Sequence, residues 1–213
     1  MHNLNLAAGV KRVLCLGAHS DDIEIGCGGT VLKLIRENPA LEFYWVVLSG
    51  NASRAQEARA SAERFLEGAA SARVVTLEFQ DTLFPTQFAA LKDAINGIRN
   101  AFAPDVIFTQ YRDDRHQDHR TLSDLTWNAF RNHTILEYEI PKFDGDLGQP
   151  NVFVDLSEEI AARKIELLMD CFGTQRSKHW FSPDTFEGLM RLRGLESATR
   201  FAEGFHGRKL RIL

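Results

Sequence analysis

Cysteine is scarce in this chain. Its three copies, Cys15, Cys27 and Cys171, are an odd and widely spaced set among 213 residues. That excludes a disulfide framework and points to a reducing, cytoplasmic setting. A basic block is also missing, since Lys+Arg 25 stand against Asp+Glu 29 for a net charge of −4. A nucleic-acid partner would need a concentrated positive stripe, so none is expected. Long apolar runs are absent too. Val13-Leu14-Cys15-Leu16 is far too short to cross a bilayer, and Met1 to Val10 carries no apolar leader. The expectation is a protein with no integral membrane segment and no secretion signal. There is no repeat, no low-complexity tract and no linker.

What is present is a regular alternation. With 44% apolar residues the chain can bury one sizeable core. Val13–Leu16, Phe43–Leu48, Val74–Leu77 and Val106–Thr109 read as short strands, apolar on both faces. A helix is expected from the Gly26–Gly29 run to about Asn38. Ser53 with Gln56 suggests a capping box for the next helix, which Gly68 ends. Phe88, Leu91, Ile95, Ile98 and Phe102 recur at helical spacing, and Pro104 closes that stretch. A further helix is expected from His119 to about Asn132, with Asp118 as one choice of N-cap. Strands joined by single helices imply a parallel sheet covered on both sides. After residue 133, Ile135–Ile140 and Val152–Val154 read as strands. Ser157 opens a helix with Glu158 and Glu159 in its first turn, and Asp184 with Glu187 suggests another. The reading is one domain, with 1–132 as its core and 133–213 as an extension that walls a site.

Two polar clusters follow the first and fourth strands. The first is His19-Ser20-Asp21-Asp22, the second His116-Gln117-Asp118-His119. In open parallel sheets, ligand sites collect beyond the carboxyl ends of the strands. The first strand is usually central and the fourth often lies beside it, so the clusters can meet. A catalytic zinc site uses three N/O ligands and leaves the fourth position to water. His19, one aspartate and one histidine of the second cluster meet that need, with a carboxylate spare as base. His2, His133, His179 and His206 stand alone and read as ordinary residues. Gly26, Gly28 and Gly29 invite a dinucleotide reading, but Val31 stands where a third glycine is required. They read instead as a close approach of helix to sheet.

The runs Ala18-His19-Ser20-Asp21-Asp22-Ile23-Glu24, Gly26-Cys27-Gly28-Gly29-Thr30 and His116-Gln117-Asp118-His119-Arg120, with the late Ala202-Glu203-Gly204-Phe205, resemble the PIG-L/LmbE-like family of zinc-dependent N-acetyl sugar deacetylases. The resemblance implies a Rossmann-like, doubly wound α/β fold, in agreement with the alternation above. It departs at two places, Ser20 and Gln117, where the family usually has proline.

By that resemblance, His19, Asp22 and His119 are the metal ligands and Asp21 is the general base. His116 would stabilise the oxyanion or protonate the leaving amine, and Asp118 would hold His116 charged. Arg54 is the counterpart of an arginine near the substrate, with Glu57 one turn on. A tyrosine assisting the oxyanion has no counterpart at Asp114, which leaves Tyr111 as a weak candidate. The implied cofactor is one Zn²⁺, with Fe²⁺, Co²⁺ or Mn²⁺ also suited to His/Asp ligation. The implied partner is a small N-acetylated amino sugar or conjugate; Tyr138, Phe143, Phe153, Trp180 and Phe181 could stack on a sugar face, but most of them read as core. Hydrolysis of another amide or ester, or sugar binding without catalysis, would fit the same residues.

Overall fold

Val13, Leu14, Cys15 and Leu16 expose no surface, which places β1 (Arg12–Gly17) in the interior of a sheet. The computed structural model describes residues 9–209. Residues 1–8, with His2 and most of the stretch read as lacking a leader, lie outside the described residues. Six further strands complete the sheet: β2 (Glu42–Ser49), β3 (Ser71–Phe79), β4 (Val106–Gln110), β5 (Thr134–Tyr138), β6 (Val152–Leu156) and β7 (Phe201–Gly207). Their order is β3-β2-β1-β4-β5-β7-β6. The first five run parallel, and β7 pairs antiparallel with both β5 and β6. The fold is therefore the doubly wound α/β sheet expected from the alternation.

Because side chains alternate along a strand, each central strand feeds two cores. Val13, Cys15, Phe43, Trp45 and Phe108 face one side. There they meet α1 (Asp22–Glu37), α2 (Ala52–Phe65) and α5 (Glu158–Cys171) through Val31, Phe65 and Leu167. Leu14, Leu16, Tyr44, Val46 and Ile107 face the other. They meet α3 (Phe88–Ala101) and α4 (Gln117–Ala129) through Leu91, Ile95, Leu122 and Leu125. A smaller cluster of Leu156, Ile160, Met190 and Phe201 ties α6 (Pro183–Ser197) to the sheet edge. Among the described residues no helix is long and apolar enough to cross a membrane.

Several local expectations are corrected. α1 begins at Asp22 rather than at the glycines and breaks at Cys27 (φ −143°, ψ 15°). α2 is capped by Asn51, whose side chain accepts from the Arg54 amide at 3.0 Å, and not by Ser53. Asn51 is preferred because it stands directly before the first helical residue. α4 starts at Gln117 with His116 as its N-cap, so neither His119 nor Asp118 opens it. α6 is capped by Ser182, with Pro183 in its first turn, instead of by Asp184. Ser157 caps α5 as read. β7 carries no strand pattern in the sequence, because Glu203 and Gly204 interrupt its apolar run, and both are buried.

The chain runs β1-β2-β3 outward, then returns to β4 on the other side of β1. The point of reversal lies between β1 and β4, and the loops after these two strands meet there. Gly26 is packed so closely on the Tyr138 ring of β5 that a Cβ would overlap it, and Gly28 stands similarly against Phe65. Gly97 in α3 has open space around it. Urea unfolding should therefore separate two identical changes. Gly97→Ala should stabilise by up to about 1 kcal/mol. Gly26→Ala should lose about 1–2 kcal/mol, since overpacking outweighs the helix preference.

Candidate metal centre

Gly17 ends β1, and the chain turns at Ala18-His19-Ser20 into α1, with Asp21 as N-cap and Asp22 as first helical residue. His116 and His119 sit in the first turn of α4, facing that turn across the β1/β4 boundary. His19 Nδ1 lies 3.1 Å from His119 Nε2. Asp22 Oδ2 stands 3.4 Å from His19 Nδ1, and Asp22 Oδ1 stands 3.5 Å from His119 Nε2. A tetrahedral ion with bonds of about 2.0–2.1 Å needs ligand atoms about 3.3 Å apart. The spacing of the two imidazole nitrogens, with one carboxylate beside both, fits a divalent cation on that ground.

Their surroundings aim them at that point. Asp22 Oδ2 accepts from the His19 amide at 2.7 Å and from Gln110 Nε2 at 2.6 Å, leaving Oδ1 the less committed oxygen. His119 Nδ1 is 2.9 Å from Asp114 Oδ2, which also takes Lys142 Nζ at 2.7 Å. On its far side, His19 Nε2 is 3.2 Å from Asp118 and 2.9 Å from Asp81. Carboxylates behind metal-ligating imidazoles orient the ring and raise its basicity.

Charge tells the same story. Burial opposes the charged form of Asp22, yet His119 and His19 hold its carboxyl well below the ordinary range. Burial works against protonated His19 too, but Asp22, Asp118 and Asp81 raise it well above its usual value. Asp114 is likewise disfavoured by burial and still lowered, through His119 and Lys142. A metal bound at these donors would compete with the proton on His19.

Asp21 is different. Burial raises its carboxyl above the ordinary value, against the pull of Arg54, and Asp22 adds to the rise. Arg54 Nη2 donates to Asp21 Oδ1 at 2.8 Å, while Asp21 Oδ2 is buried with no partner. Arg54 also reaches Glu57 and Thr174 and lies over the Phe172 ring. Its first contact is thus the expected base.

Asp118 directs its carboxylate hydrogen bonds elsewhere than to His116. Its carboxylate accepts from the amides of Thr82 at 2.6 Å and Phe84 at 3.0 Å and faces His19. Its own amide donates to His116 Nδ1 at 3.2 Å. Nδ1 is therefore an acceptor, and the neutral ring carries its proton on Nε2. Burial, with His119 and His19, lowers His116 below its usual value, and Asp118 only partly offsets this. The N-cap geometry of α4 explains the change, because capping turns Nδ1 toward the helix. Thr82, anchored by Asp118, has φ +68°, a strained conformation for a β-branched residue. Gln117, one of the two departures from proline, donates to the Thr82 carbonyl at 2.8 Å.

Sequence reasoning missed Gln110, Asp114 and Asp81. Gln110 had one signal, a polar residue at the carboxyl end of a buried strand. Tyr111 is not at the site; it stacks on His206 at 3.8 Å between ring centres. Two lobes flank the centre and share His19, Asn51, Arg54 and Asp81. One, of ≈480 Å³, is lined by Ser49, Glu78 and Gln80. The other, of ≈580 Å³, is lined by Pro141, Phe143, Lys178 and Trp180. Phe143 is 79% exposed, whereas Tyr138 and Phe181 are core.

The sequence profile of the PIG-L family, described as GlcNAc-PI de-N-acetylase, matches residues 14–130. The Escherichia coli (strain K12) protein called uncharacterized deacetylase YaiS is 30% identical over 170 residues, 74% of this chain and 89% of that protein. Among solved structures, the N,N'-diacetylchitobiose deacetylase of Pyrococcus horikoshii in complex with its inhibitor superposes with a TM-score of 0.73 at 22% identity. The match covers 93% of this chain and 84% of that one. The 4-carboxy-2-hydroxymuconate hydratase of Pseudomonas putida KT2440 superposes at 0.70 with 16% identity, covering 95% and 98%. A likeness in fold therefore does not by itself fix the reaction.

Gln110→Ala should leave the protein folded and weaken divalent-cation binding at the candidate centre by about 10- to 100-fold, the usual effect of losing a partner that orients a ligand. Competition with a chromophoric chelator measures this; an unchanged affinity would remove Gln110 from the centre.

Proposed function

The chain belongs to the PIG-L family, described as GlcNAc-PI de-N-acetylases, and on that premise we propose that it is a metal-dependent hydrolase removing the N-acetyl group from an amino sugar or amino-sugar conjugate. The observation that carries this reading is Asp21 Oδ2, buried and unpartnered beside the His19, Asp22 and His119 ligand atoms. Zinc is the proposed ion, with Fe²⁺, Co²⁺ or Mn²⁺ as other candidates for the same donors. When bound, it would supply a Lewis acid for the acetamide carbonyl and bring the pKa of a water to roughly 7.

The chain's own residues then divide the proton work. Asp21 Oδ2 takes the proton of the attacking water; its raised carboxyl suits a base working near neutral pH. Arg54 holds the other oxygen and so keeps Oδ2 turned inward. The proton on His116 Nε2 is available to the oxygen that develops negative charge, which favours the oxyanion role. Protonation of the departing amine falls to Asp21, which returns the proton it took. Asp118 supports His19 rather than His116, and acts on catalysis through the metal ligand.

The shape of the site supports a substrate extending on both sides of the acetamide. Hydroxyl-matching groups line one lobe, and aromatic residues line the other, where an aglycone or second sugar ring could stack. Arg54, common to both, is proposed to meet the substrate at their junction. The aromatic lobe is built from residues 140–144 and 174–180, in keeping with 133–213 as a wall on a single domain. A cytoplasmic location belongs to the same proposal.

Acetate release from a panel of N-acetylated sugars, with zinc removed and restored, tests the reaction directly. Asp21→Asn should keep one zinc per chain and lower kcat by about 10²- to 10⁴-fold; near-normal turnover would remove Asp21 as the base. Phe143→Ala and Trp180→Ala should raise KM for a disaccharide or aryl glycoside by about 2- to 10-fold. Their kcat, and both constants for a monosaccharide, should stay the same. Equal effects on all substrates would count against the aromatic lobe as an aglycone site.

A further inference from the structure

α1 is broken one turn beyond the candidate metal ligand, and the break is filled by an ion pair. In an unbroken helix the Gly29 amide would donate to the Ile25 carbonyl, four residues back. Here Gly29 N–H donates instead to Glu203 Oε1 at 2.8 Å. The Ile25 carbonyl is taken by Lys164 Nζ at 2.6 Å. Lys164 also donates to Glu203 Oε1 at 2.6 Å. Glu203 Oε2 accepts from the Thr30 amide at 2.7 Å and the Thr30 hydroxyl at 2.6 Å. Lys164 comes from α5 and Glu203 from β7, and each side chain is 3% exposed.

A side chain inserted into the i→i−4 ladder is one of the few causes of a sharp bend in a helix. Here two inserted side chains of opposite charge satisfy both severed ends. The upstream carbonyl receives a cation and the downstream amides receive an anion, the arrangement that helix ends prefer. A buried ion pair seldom stabilises more than apolar packing of the same volume, so its particular contribution is direction. Val31, Leu34 and Ile35 fix the long segment of α1 in the core. The short segment, from Asp22 to Gly26, is fixed at its far end by Lys164. It carries Asp22, with Asp21 as its N-cap.

We infer that Lys164 and Glu203 are positioning residues for the metal centre: inserted into α1, they set the angle of its first turn and with it the reach of Asp22. The inference rests on the metal assignment proposed above, and its test does not use acetate release. Glu203→Gln is nearly isosteric, Lys164→Met keeps the aliphatic stem, and Thr30→Val removes only one hydroxyl contact. Zinc affinity would be measured on folded protein by chelator competition, the ligand field by the visible spectrum of the Co²⁺-loaded protein, and Tm separately without metal.

Glu203→Gln and Lys164→Met should weaken zinc about 10-fold or more and shift the Co²⁺ bands. Thr30→Val should weaken zinc about 2- to 5-fold. A merely structural pair would lower Tm while leaving affinity and spectrum untouched. Zinc affinity within 2-fold of the parent in folded Glu203→Gln or Lys164→Met overturns the inference. Should neither fold, an unchanged affinity in Thr30→Val overturns it. A parent protein that binds zinc but releases no acetate would refute the proposed reaction alone. A parent that binds no zinc would refute both.

Discussion

Four carboxylates crowd one edge of the sheet, Asp21, Asp22, Asp114 and Asp118, and none is more than 5% exposed. Buried carboxylates are costly unless they are paired, hydrogen-bonded or bound to a cation. The rest of the site answers to that constraint. Asp118 spreads its charge over two loop amides and His19, Asp114 over His119 and Lys142, and Asp21 is half-satisfied by Arg54. Asp22 meets the two imidazoles with one oxygen each, His19 through Oδ2 and His119 through Oδ1. Asp21 Oδ2 is buried with no hydrogen-bond partner, as the proposed proton acceptor would need.

The sequence made the scaffold and the chemical centre legible for different reasons. Strands such as Val13–Leu16 and Val106–Thr109 are continuous apolar runs, and burial on both faces leaves them few other places to go. His19, Asp21, Asp22, His116 and His119 were legible because costly polar residues were concentrated after two of those strands. Gln110 and Asp81 were not, since each is a single polar residue whose partner lies far away in the chain. β7 escaped because strand patterning looks for alternation, and Glu203 is buried by an ion pair rather than by apolar contact. The caps went wrong locally: Ser53 and Asp184 matched a motif, but Asn51 and Ser182 stood at the residue before the first helical turn. The partner of the Asp118 carboxylate was hidden for a related reason. Proximity in sequence suggested a carboxylate for His116, whereas the cap turned the His116 ring toward the Asp118 amide and left the carboxylate to His19.

The fold and the centre also differ in what they determine. A hydratase and a deacetylase share this sheet with the chain at nearly equal TM-scores. The architecture brings the loops after β1 and β4 together, and the donor set in those loops selects the chemistry. The last third is more than a cover: β7 and α5 reach into α1 at Gly29, Thr30 and Ile25. Residues 174 positions apart in the chain, Gly29 and Glu203, thereby share one hydrogen-bond network around the first helix.

The Thr82 turn carries a consequence of its own. Its left-handed backbone stores strain of order 1–3 kcal/mol, and the carboxylate that restrains it is the one behind His19. Asp81, the neighbour of Thr82, forms part of the boundary between the two lobes. Through Asp118, the lobe wall and the His19 imidazole share an anchor. Whatever free energy a ligand against that wall contributes to ion affinity, the ion returns to the ligand in equal measure.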